Sequence, residues 1–521
     1  MAALLGHELE DLGYNYLVAM TKTISLKNIS HSFLEKSILE GVSFKLTDDE
    51  RVCIVGDNGT GKSTLLKIIT GTIEPSSGSV DTTGHVRTYY VAQEFAHDDL
   101  ARTIDEYILA HASVTLYKKI YSFGKTLGFD LEKNSTKQCA LLSGGQQKIL
   151  ALSVGLATSP DFLLLDEPEN HLDIVSRLEL IKLLQAYRGG VLFVSHDRLM
   201  IDSIATKVAE VAQKKVWISE GGYQDYIDTR LARIEGLQRA FDQVTKRIRA
   251  LEGMLPILEA KAFRGKEVSS YLKRKAELVE LKAQQKEEGR ADDRRTSIKL
   301  QKGTSDLHNG KLLCRITDAS FRYPGARGDI FKDISVDIRT GSHIVLLGRN
   351  GSGKSTFLKG LTGNLPLNTG TVTWAEGITT SYFDQHASFD PNKTALEVVI
   401  EALGKPDKES RAALGAMKFA SDKMDTRTGE LSGGERMRLR FAIVFGTNPD
   451  FIILDEPTNH LDEVTWQILL DACNNSKSTI LLVTHDYEFI TDLKSKVFWL
   501  IKNQTIKERH KDLEELIEEL R

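Results

Sequence analysis

The sequence predicts an α/β protein in which two domains of the same kind are joined by an α-helical hairpin. The first observation is a long internal repeat: GDNGTGKST, which begins at Gly56, recurs as GRNGSGKST from Gly348. The second is the alternation, in each copy, of short apolar runs with helical patterns. The third is a basic segment of helical composition between the copies. A repeat of this length indicates a duplicated domain and not a solenoid.

Length and composition set the outer limits. A chain of 521 residues is too long for one core, and 41% hydrophobic with 27% charged residues is ordinary for a globular protein. No apolar run is long enough for a transmembrane helix, and residues 1–22 lack the features of a secretory signal. They are interpreted as a tail, with Met1 or Met20 as the true start. We expect a cytoplasmic protein without a membrane partner.

The cysteines support the same compartment. Metal-ligand spacing is absent among the four of them, which are Cys53, Cys139, Cys314 and Cys473. Such residues are typical of the core of a protein in a reducing cytosol.

Each copy contains apolar runs typical of buried strands. They are RVCIVG, DFLLLD and VLFVSH in the first copy and HIVLLG, DFIILD and TILLVTH in the second. Strands of parallel sheets that are covered by helices on both faces have this character. The predicted domains are therefore 23–222 and 306–507, each with an antiparallel β part near its start. A short amphipathic helix is predicted in 508–521.

Both glycine-rich segments follow a strand and open a helix, which is the context of a phosphate-binding P-loop. Backbone N–H groups and the helix N-terminus favour anions there. We expect Lys62 and Lys354 to reach the β- and γ-phosphates of ATP, and Ser63 and Ser355 to hold Mg²⁺. The predicted nucleotide-binding residues are Gly56, Asp57, Asn58, Gly59, Thr60, Gly61, Lys62, Ser63 and Thr64, and then Gly348, Arg349, Asn350, Gly351, Ser352, Gly353, Lys354, Ser355 and Thr356.

Paired carboxylates follow an apolar strand in both copies. Asp166 and Asp455 end these strands, so they are predicted to lie beside the Mg²⁺. Glu167 and Glu456 come next, at the carboxyl edge of the sheet where ligands bind. Each is predicted to polarise the attacking water as a general base.

Two further polar positions recur at the ends of strands. His196 and His485 follow the runs VLFVS and TILLVT, and their matched placement favours a contact with the γ-phosphate. Gln93 and Gln385 close short strands, and neither would be informative alone.

From about residue 23 to about 507, the chain resembles the ATP-binding cassette ATPases. LSGGQ, from Leu142, and LSGGE, from Leu431, look like the signature motif of that family. The resemblance implies two tandem P-loop cassettes that close head-to-tail, so that the signature of each domain faces the ATP of the other. It implies that Ser143, Gly144 and Gly145 meet the ATP of Lys354, and that Ser432, Gly433 and Gly434 meet the ATP of Lys62. It also implies adenine stacking by Phe33 and Tyr323, and Mg²⁺ sensing by Gln93 and Gln385.

Within this superfamily, the closest likeness is to the ABC-F group. The features are tandem domains, no membrane span, DEPxNHLD in both halves, and EGGYQDYIDTR at residues 220–230. The resemblance implies an ATP hydrolase that binds the ribosome and couples ATP to events at the tRNA sites. Both a translation factor and an antibiotic-resistance factor fit. One departure is Glu169, where the second half has Thr458, and we hypothesise that the two sites hydrolyse ATP at different rates.

The segment 223–305 is positively charged, unlike the rest of the chain. Residues 230–302 contain 19 Lys and Arg against 11 Asp and Glu, a net charge of +8 in a protein whose total is −4. An apolar seam with coiled-coil spacing precedes Pro256, which we expect to interrupt the helix. Its members are Ile234, Leu237, Phe241, Val244, Ile248, Leu251 and Leu255. An antiparallel hairpin fits best, with EAKAFRGKEVSSYLKRK (259–275) near its far end.

The basic, aromatic-bearing end of this hairpin suits phosphate contacts and stacking on RNA. We therefore predict that residues 256–280 contact rRNA and tRNA in a monomer whose two domains pair within one chain. Two alternatives remain: an ATPase subunit of a membrane transporter, and a DNA-associated ATPase. A coiled coil of this kind could also serve dimerisation.

Overall fold

A computed structural model describes residues 21–33, 36–57, 59–264, 266–288, 310–326, 328–341, 343–383, 388–459 and 461–521. Within these ranges the chain forms two α/β domains of the same topology, which we call the first and second cassettes, joined by two long helices. The predicted fold class is confirmed. Predictions for Asn58, Gln385, residues 1–20 and residues 289–309 lie outside the described residues.

The first cassette contains nine strands and six helices among its described residues. The strands are β1 (Thr23–Phe33), β2 (Lys36–Thr47), β3 (Arg51–Val55), β4 (Ser77–Thr82), β5 (Thr88–Val91), β6 (Phe162–Asp166), β7 (Gly190–Val194), β8 (Lys207–Ala212) and β9 (Lys215–Glu220). The helices are α1 (Lys62–Ile69), α2 (Ile104–His111), α3 (Tyr117–Thr126), α4 (Gly144–Thr158), α5 (Ile174–Gln185) and α6 (Arg198–Ile204).

Strand pairing explains why the predicted site residues converge. The main sheet has the order β5-β6-β7-β3-β8-β9, parallel except for the last pair, and β2-β1-β4 form a separate antiparallel sheet. Strands β6 and β7 are buried along their whole length. The carboxyl ends of β3, β6 and β7 lie at one edge of the sheet, so the P-loop, the Asp-Glu pair and His196 meet there.

Two long helices follow the first cassette. Helix α7 (Tyr223–Phe263) and helix α8 (Val268–Glu288) pack against each other as a hairpin. The 41 residues of α7 correspond to a length of about 60 Å. Ile248 and Leu251, two members of the predicted apolar seam, are buried.

The expectation that Pro256 interrupts the helix is wrong, because α7 continues through it to Phe263. Contacts to α8 hold the helix on both sides of the proline. Before it, Lys282 Nζ lies 2.7 Å from Glu252 Oε1. After it, the Tyr271 hydroxyl donates to Glu259 Oε1 at 2.9 Å. The turn of the hairpin therefore falls between Phe263 and Val268.

The second cassette repeats the topology. Its strands are β10 (Leu312–Phe321), β11 (Phe331–Arg339), β12 (His343–Leu347), β13 (Thr369–Trp374), β14 (Thr380–Phe383), β15 (Phe451–Asp455), β16 (Thr479–Val483), β17 (Lys496–Lys502) and β18 (Thr505–Arg509). Its helices are α9 (Lys354–Leu361), α10 (Ala395–Leu403), α11 (Asp407–Ala416), α12 (Gly433–Gly446), α13 (Glu463–Asn475) and α14 (Tyr487–Asp492). The sheets have the orders β14-β15-β16-β12-β17-β18 and β11-β10-β13.

A final helix, α15 (Leu513–Leu520), follows β18 and connects the cassettes. Its apolar face, with Leu516 and Leu520, belongs to a buried cluster that also contains Ile174 and Val175 of α5. The core of the second cassette therefore extends onto the first. None of the helices described here combines the length and apolarity that crossing a membrane requires.

Candidate functional site

Both P-loops fold around the lysine that begins the following helix. Lys62 Nζ donates to the carbonyls of Gly56 at 2.7 Å and Asp57 at 3.1 Å, and Lys354 Nζ donates to those of Gly348 at 2.9 Å and Arg349 at 3.2 Å. Both lysines are buried, which lowers the pKa of each ammonium group. A buried cation whose hydrogen bonds go to backbone carbonyls has a strong preference for an anion such as phosphate.

Glycine is required just before each of these lysines. Gly61 and Gly353 have φ values of 104° and 98°. A Cβ on Gly61 would lie 2.5 Å from Ile38 Cγ2. These glycines let the loop turn its backbone N–H groups inward.

The two predicted Mg²⁺-binding carboxylates are suited to that ion. Among the described residues, the Oδ1 atoms of Asp166 and Asp455 are buried without a hydrogen-bond partner. Burial raises the pKa of each carboxyl, and hydrogen bonds from Ser63 and Ser355, respectively, oppose the rise. A hydroxyl and one free carboxylate oxygen match Mg²⁺, which takes its other ligands from phosphates and water. No cluster of three or more His, Cys, Asp or Glu that could hold a metal by itself occurs in the described part of the chain.

The predicted general bases have an unusual backbone conformation. Glu167 and Glu456 have φ values of 45° and 50°, in the left-handed region that such residues seldom adopt. The strain is held by backbone hydrogen bonds to β7 and β16, from Glu167 N to the Val194 carbonyl and from Glu456 N to that of Val483. Backbone strain of this kind clusters at functional sites.

The two carboxylates have different neighbours. Glu167 Oε2 accepts a hydrogen bond from Gln93 Nε2 at 2.7 Å. Glu456 Oε1 lies 3.2 Å from His485 Nε2. Burial raises the pKa of Glu456 to about 7. Burial also lowers the pKa of His196, to about 4, and that of His485, so both imidazoles are neutral at pH 7.

The predicted adenine-stacking residues are exposed aromatic rings, of which Phe33 ends β1 and Tyr323 lies two residues after β10. Phe33 is 47% exposed and Tyr323 is 42% exposed. The Tyr323 hydroxyl lies 3.2 Å from Thr356 Oγ1, directly after the second P-loop. This contact places one ring beside the predicted phosphate site.

The structure brings the first signature motif to the second P-loop. A cavity of about 270 Å³ is lined by Ser143, Gly144, Gly145, His171, Leu172 and Arg177 of the first cassette and by Asn350, Gly351, Glu456, Asn459 and His485 of the second. Asn350 Nδ2 donates to the His171 carbonyl at 2.6 Å. The predicted grouping of Lys354 with Ser143 and Gly145 thus has a geometric counterpart, which we call the second-loop site.

The other P-loop faces a larger cavity, of about 650 Å³, between the cassettes. Its lining includes Asp57, Thr60 and His196 of the first cassette, and Asp462 and Glu463 of the second. We call this the first-loop site.

The second signature motif, Ser432, Gly433 and Gly434, does not line that cavity within the described residues. Gly434 packs instead on Asp462, whose Oδ2 would lie 2.5 Å from a Cβ at this position. The predicted grouping of Lys62 with Ser432 and Gly434 is therefore not seen.

Both signature serines begin a helix. Ser143 Oγ accepts from Gln146 N, and Ser432 Oγ accepts from Glu435 N, each at 3.3 Å, and each forms a capping box. A capped helix N-terminus favours an anion.

Glu169 gives the first-loop site a buried carboxyl group that the other site lacks. Its Oε1 accepts from Ser195 Oγ at 2.6 Å and from His196 N at 3.3 Å. In the second cassette the corresponding pair is Thr458 and Thr484, whose hydroxyls lie 2.7 Å apart. Burial raises the pKa of Glu169 to about 7.

The sequence analysis missed Lys148, which supports the first-loop site from α4. Its buried Nζ donates to the carbonyls of Ala92, Gln93 and Asp166 at 2.8–3.2 Å. It therefore fixes the Gln93 loop to the end of β6. The sequence did contain a signal for this role. The corresponding residue of the second copy is Met437, so the two copies differ in charge at this position.

The fold and the sites define a P-loop ATPase with two cassettes in one chain. The family model described as ABC transporter matches residues 39–170 and 331–459. ATP-binding protein Uup of Haemophilus influenzae is 31% identical, over 91% of this chain and 78% of that protein. ABC transporter F family member 5 of Arabidopsis thaliana is 30% identical, over 91% and 74%. The chain belongs to the ABC-F group of ATP-binding cassette proteins, as the sequence predicted, and it is an ATPase.

Solved structures share the two-cassette fold. A structure described as RNase-L Inhibitor matches with a TM-score of 0.63 and 20% identity, covering 95% of this chain and 93% of the other. A model of ribosome-bound archaeal Pelota and ABCE1 matches with a TM-score of 0.59 and 21% identity, covering 92% and 78%.

Proposed function

We propose that this protein is a cytoplasmic, monomeric ATPase that binds the ribosome when ATP closes its two cassettes and leaves it after hydrolysis. The hairpin of α7 and α8 would enter the tRNA sites and contact rRNA or tRNA through residues 256–280. The single observation that carries the proposal is the exposed cationic tip of a helix about 60 Å long. The likeness of the fold to a model of ribosome-bound ABCE1 supports the choice of partner.

The tip has the chemistry of an RNA-binding surface. Arg264, Lys266 and Lys273 are exposed and have no ion-pair partner among the described residues. Phe263 is 96% exposed, which is unusual for a phenylalanine unless it stacks on a partner. Free cations beside an aromatic ring suit phosphates and unstacked bases.

The base of the hairpin is joined to the first-loop site. Arg230 Nε lies 3.1 Å from Glu210 Oε1, and Arg233 also pairs with Glu210, on β8 beside the P-loop. Across the cassette interface, the Tyr223 hydroxyl donates to Glu463 Oε2 at 2.5 Å. Closure of the cassettes would therefore move the start of α7, and the length of the helix would amplify that movement at the tip.

At each ATP site, we propose the roles that the sequence predicts. Lys62 and Lys354 bind the β- and γ-phosphates, and Glu167 and Glu456 orient the water and accept its proton. The neutral His196 and His485 contact the γ-phosphate. Mg²⁺, held by Ser63 with Asp166 and by Ser355 with Asp455, would supply charge neutralisation on the phosphates.

Cosedimentation with ribosomes in ATP tests the proposal. Changing Glu167→Gln together with Glu456→Gln should leave ATP bound and unhydrolysed, so the closed protein should accumulate on ribosomes and inhibit translation. The same variant without ATP serves as the control. If the double variant with ATP is no more abundant in the ribosomal fraction than the control, the proposal is wrong. Recovery with membranes or stimulation by DNA would instead favour a transporter subunit or a DNA-associated ATPase.

The choice between a translation factor and an antibiotic-resistance factor needs a separate experiment. Expression in a susceptible host, scored against ribosome-targeting drugs, distinguishes them. A rise in resistance that disappears in the double Glu→Gln variant would show protection.

A further inference from the structure

Arg177 occupies an unusual position between the two ATP sites. It lies in the first turn of α5, and its side chain is only 9% exposed. Its Nη1 lies 2.6 Å from Asp197 Oδ2, directly after His196 of the first-loop site. Its Nε is buried without a hydrogen-bond partner among the described residues. A buried guanidinium with an unused donor is costly unless a further acceptor arrives.

Arg177 also lines the second-loop site. The guanidinium lines the cavity between the signature motif of the first cassette and Glu456 and His485 of the second. Glu456 and His485 line the same cavity, and the charge of Arg177 interacts electrostatically with both side chains. Asp486, directly after His485, also interacts with it electrostatically. Arg177 therefore touches one site through Asp197 and faces the other.

The corresponding position in the second cassette carries no charge. Arg177 is the fourth residue after Asp173, and the fourth residue after Asp462 is Trp466. Trp466 Nε1 donates to Asp486 Oδ2 at 2.6 Å, so both side chains hold the aspartate after the histidine of their own cassette. Of these two corresponding side chains, only Arg177 brings a charge to the cavity of the opposite P-loop.

We infer that Arg177 is a positioning residue that the first cassette supplies in trans to the second-loop site. It holds Glu456 and His485 in their hydrolytic arrangement, and its bond to Asp197 ties that arrangement to the His196 segment of the first-loop site. The inference rests on the site roles proposed above. It makes the second-loop site dependent on Arg177, whereas the corresponding residue at the first-loop site is the uncharged Trp466.

Single-turnover ATP hydrolysis without ribosomes tests the inference in two backgrounds. Glu167→Gln leaves the second-loop site active, and Glu456→Gln leaves the first-loop site active. Arg177→Gln should lower the hydrolysis rate about tenfold to a hundredfold in the Glu167→Gln background. It should change ATP affinity, and the rate in the Glu456→Gln background, by less than about threefold. Arg177→Lys should restore part of the second-loop rate because it keeps the cation.

Lys182→Gln is the matched control, because this exposed lysine lies on the same helix and pairs only with Glu179 within the described chain. It should leave both rates unchanged. Equal losses in both backgrounds, or an unchanged second-loop rate, would overturn the inference. If Arg177→Gln lowers the melting temperature, its hydrolysis rate is compared with that of Arg177→Lys at equal folded fraction. A second-loop rate that Arg177→Lys partly restores supports the inference, and an equally low rate contradicts it. Failure of the proposed site roles would appear before Arg177 is changed: Glu167→Gln together with Glu456→Gln would still hydrolyse ATP at the wild-type rate.

Discussion

The backbone N–H of Asn350, in the second P-loop, donates to Asp173 Oδ2 of the first cassette at 2.9 Å. The other carboxylate oxygen of Asp173 accepts from Ser176 N at 2.8 Å and caps α5. One buried side chain therefore begins a helix in one cassette and orders the phosphate-binding loop of the other. Arg349 Nε adds a longer ionic contact to Asp173 Oδ2, at 3.6 Å.

Removal of this carboxylate should weaken both the helix and the interface. Asp173→Ala loses the cap of α5, which costs about 0.5–2 kcal/mol, and leaves the Asn350 N–H without its acceptor. We expect a lower melting temperature and slower hydrolysis at the second-loop site, measured in the Glu167→Gln background. Asp173→Asn is the control, because its side-chain oxygen can keep the cap while the negative charge is lost. Wild-type rates in Asp173→Ala would show that the bond does not order the loop.

Stability should depend on pH through Glu169. Because burial raises the pKa of this carboxyl from 4.5 to about 7 in the folded state, the folded protein binds the proton more tightly than the unfolded chain does. The stabilisation is complete below about pH 4.5 and is lost as the pH rises through about 7. The free energy of unfolding of Glu169→Gln, which stays neutral, should therefore increase relative to that of the wild type by about 1–3 kcal/mol as the pH rises from 5 to 8. Chemical denaturation of both proteins at pH 5 and at pH 8 measures this change. The same difference in stability at both pH values would contradict the assignment of the raised pKa to Glu169.

Glu169 should also make the two sites unequal in rate. The carboxyl lies behind His196, whereas Thr458 takes its place in the second cassette. In the Glu456→Gln background, Glu169→Thr should change single-turnover hydrolysis at the first-loop site and bring it closer to the rate of the second-loop site. Thr458→Ser, measured in the Glu167→Gln background, controls for a small change at the matching position. Unchanged kinetics at both sites would refute the hypothesis.

Repeated motifs made the fold and most of the site predictable. A P-loop, an Asp-Glu pair and a histidine each follow an apolar strand, and parallel strands bring such ends to one edge, so convergence follows from topology alone. Contacts across the interface were not predictable, because Arg177 and Glu463 acquire their roles only when the cassettes meet. Helix propensity also misjudged Pro256, where tertiary contacts to α8 outweigh the local cost of a proline.

Replacement of Pro256 should stabilise α7. The proline cannot donate to the carbonyl one turn earlier, and proline in a helix interior costs about 3 kcal/mol relative to alanine. Pro256→Ala should therefore raise the protection of amides in α7 against hydrogen exchange. Gly253→Ala, in the same helix and with open space for its Cβ, should give a smaller gain of about 1 kcal/mol. If Pro256→Ala stabilises α7 less than Gly253→Ala does, the folded helix must already contain a kink that accommodates the proline.

The salt dependence of ribosome binding should depend on the tip of the hairpin. Each phosphate contact contributes about −0.7 to the slope of log K against log salt for single-stranded nucleic acid. Replacement of Arg264, Lys266 and Lys273 by alanine should therefore weaken binding and make the slope less steep by about two units. Hydrolysis of ATP by the free protein should not change, because these residues lie at the far end of the hairpin from the cassettes.

Three exposed lysines of the cassettes, Lys45, Lys118 and Lys408, provide a control of equal charge. Their joint replacement by alanine should alter the net charge by the same amount and leave the slope nearly unchanged. Binding measured at several salt concentrations separates the two outcomes. An equal change of slope in both variants would mean that net charge, and not the hairpin, determines the affinity, because a local contact loses its counterions only where the cations meet the phosphates.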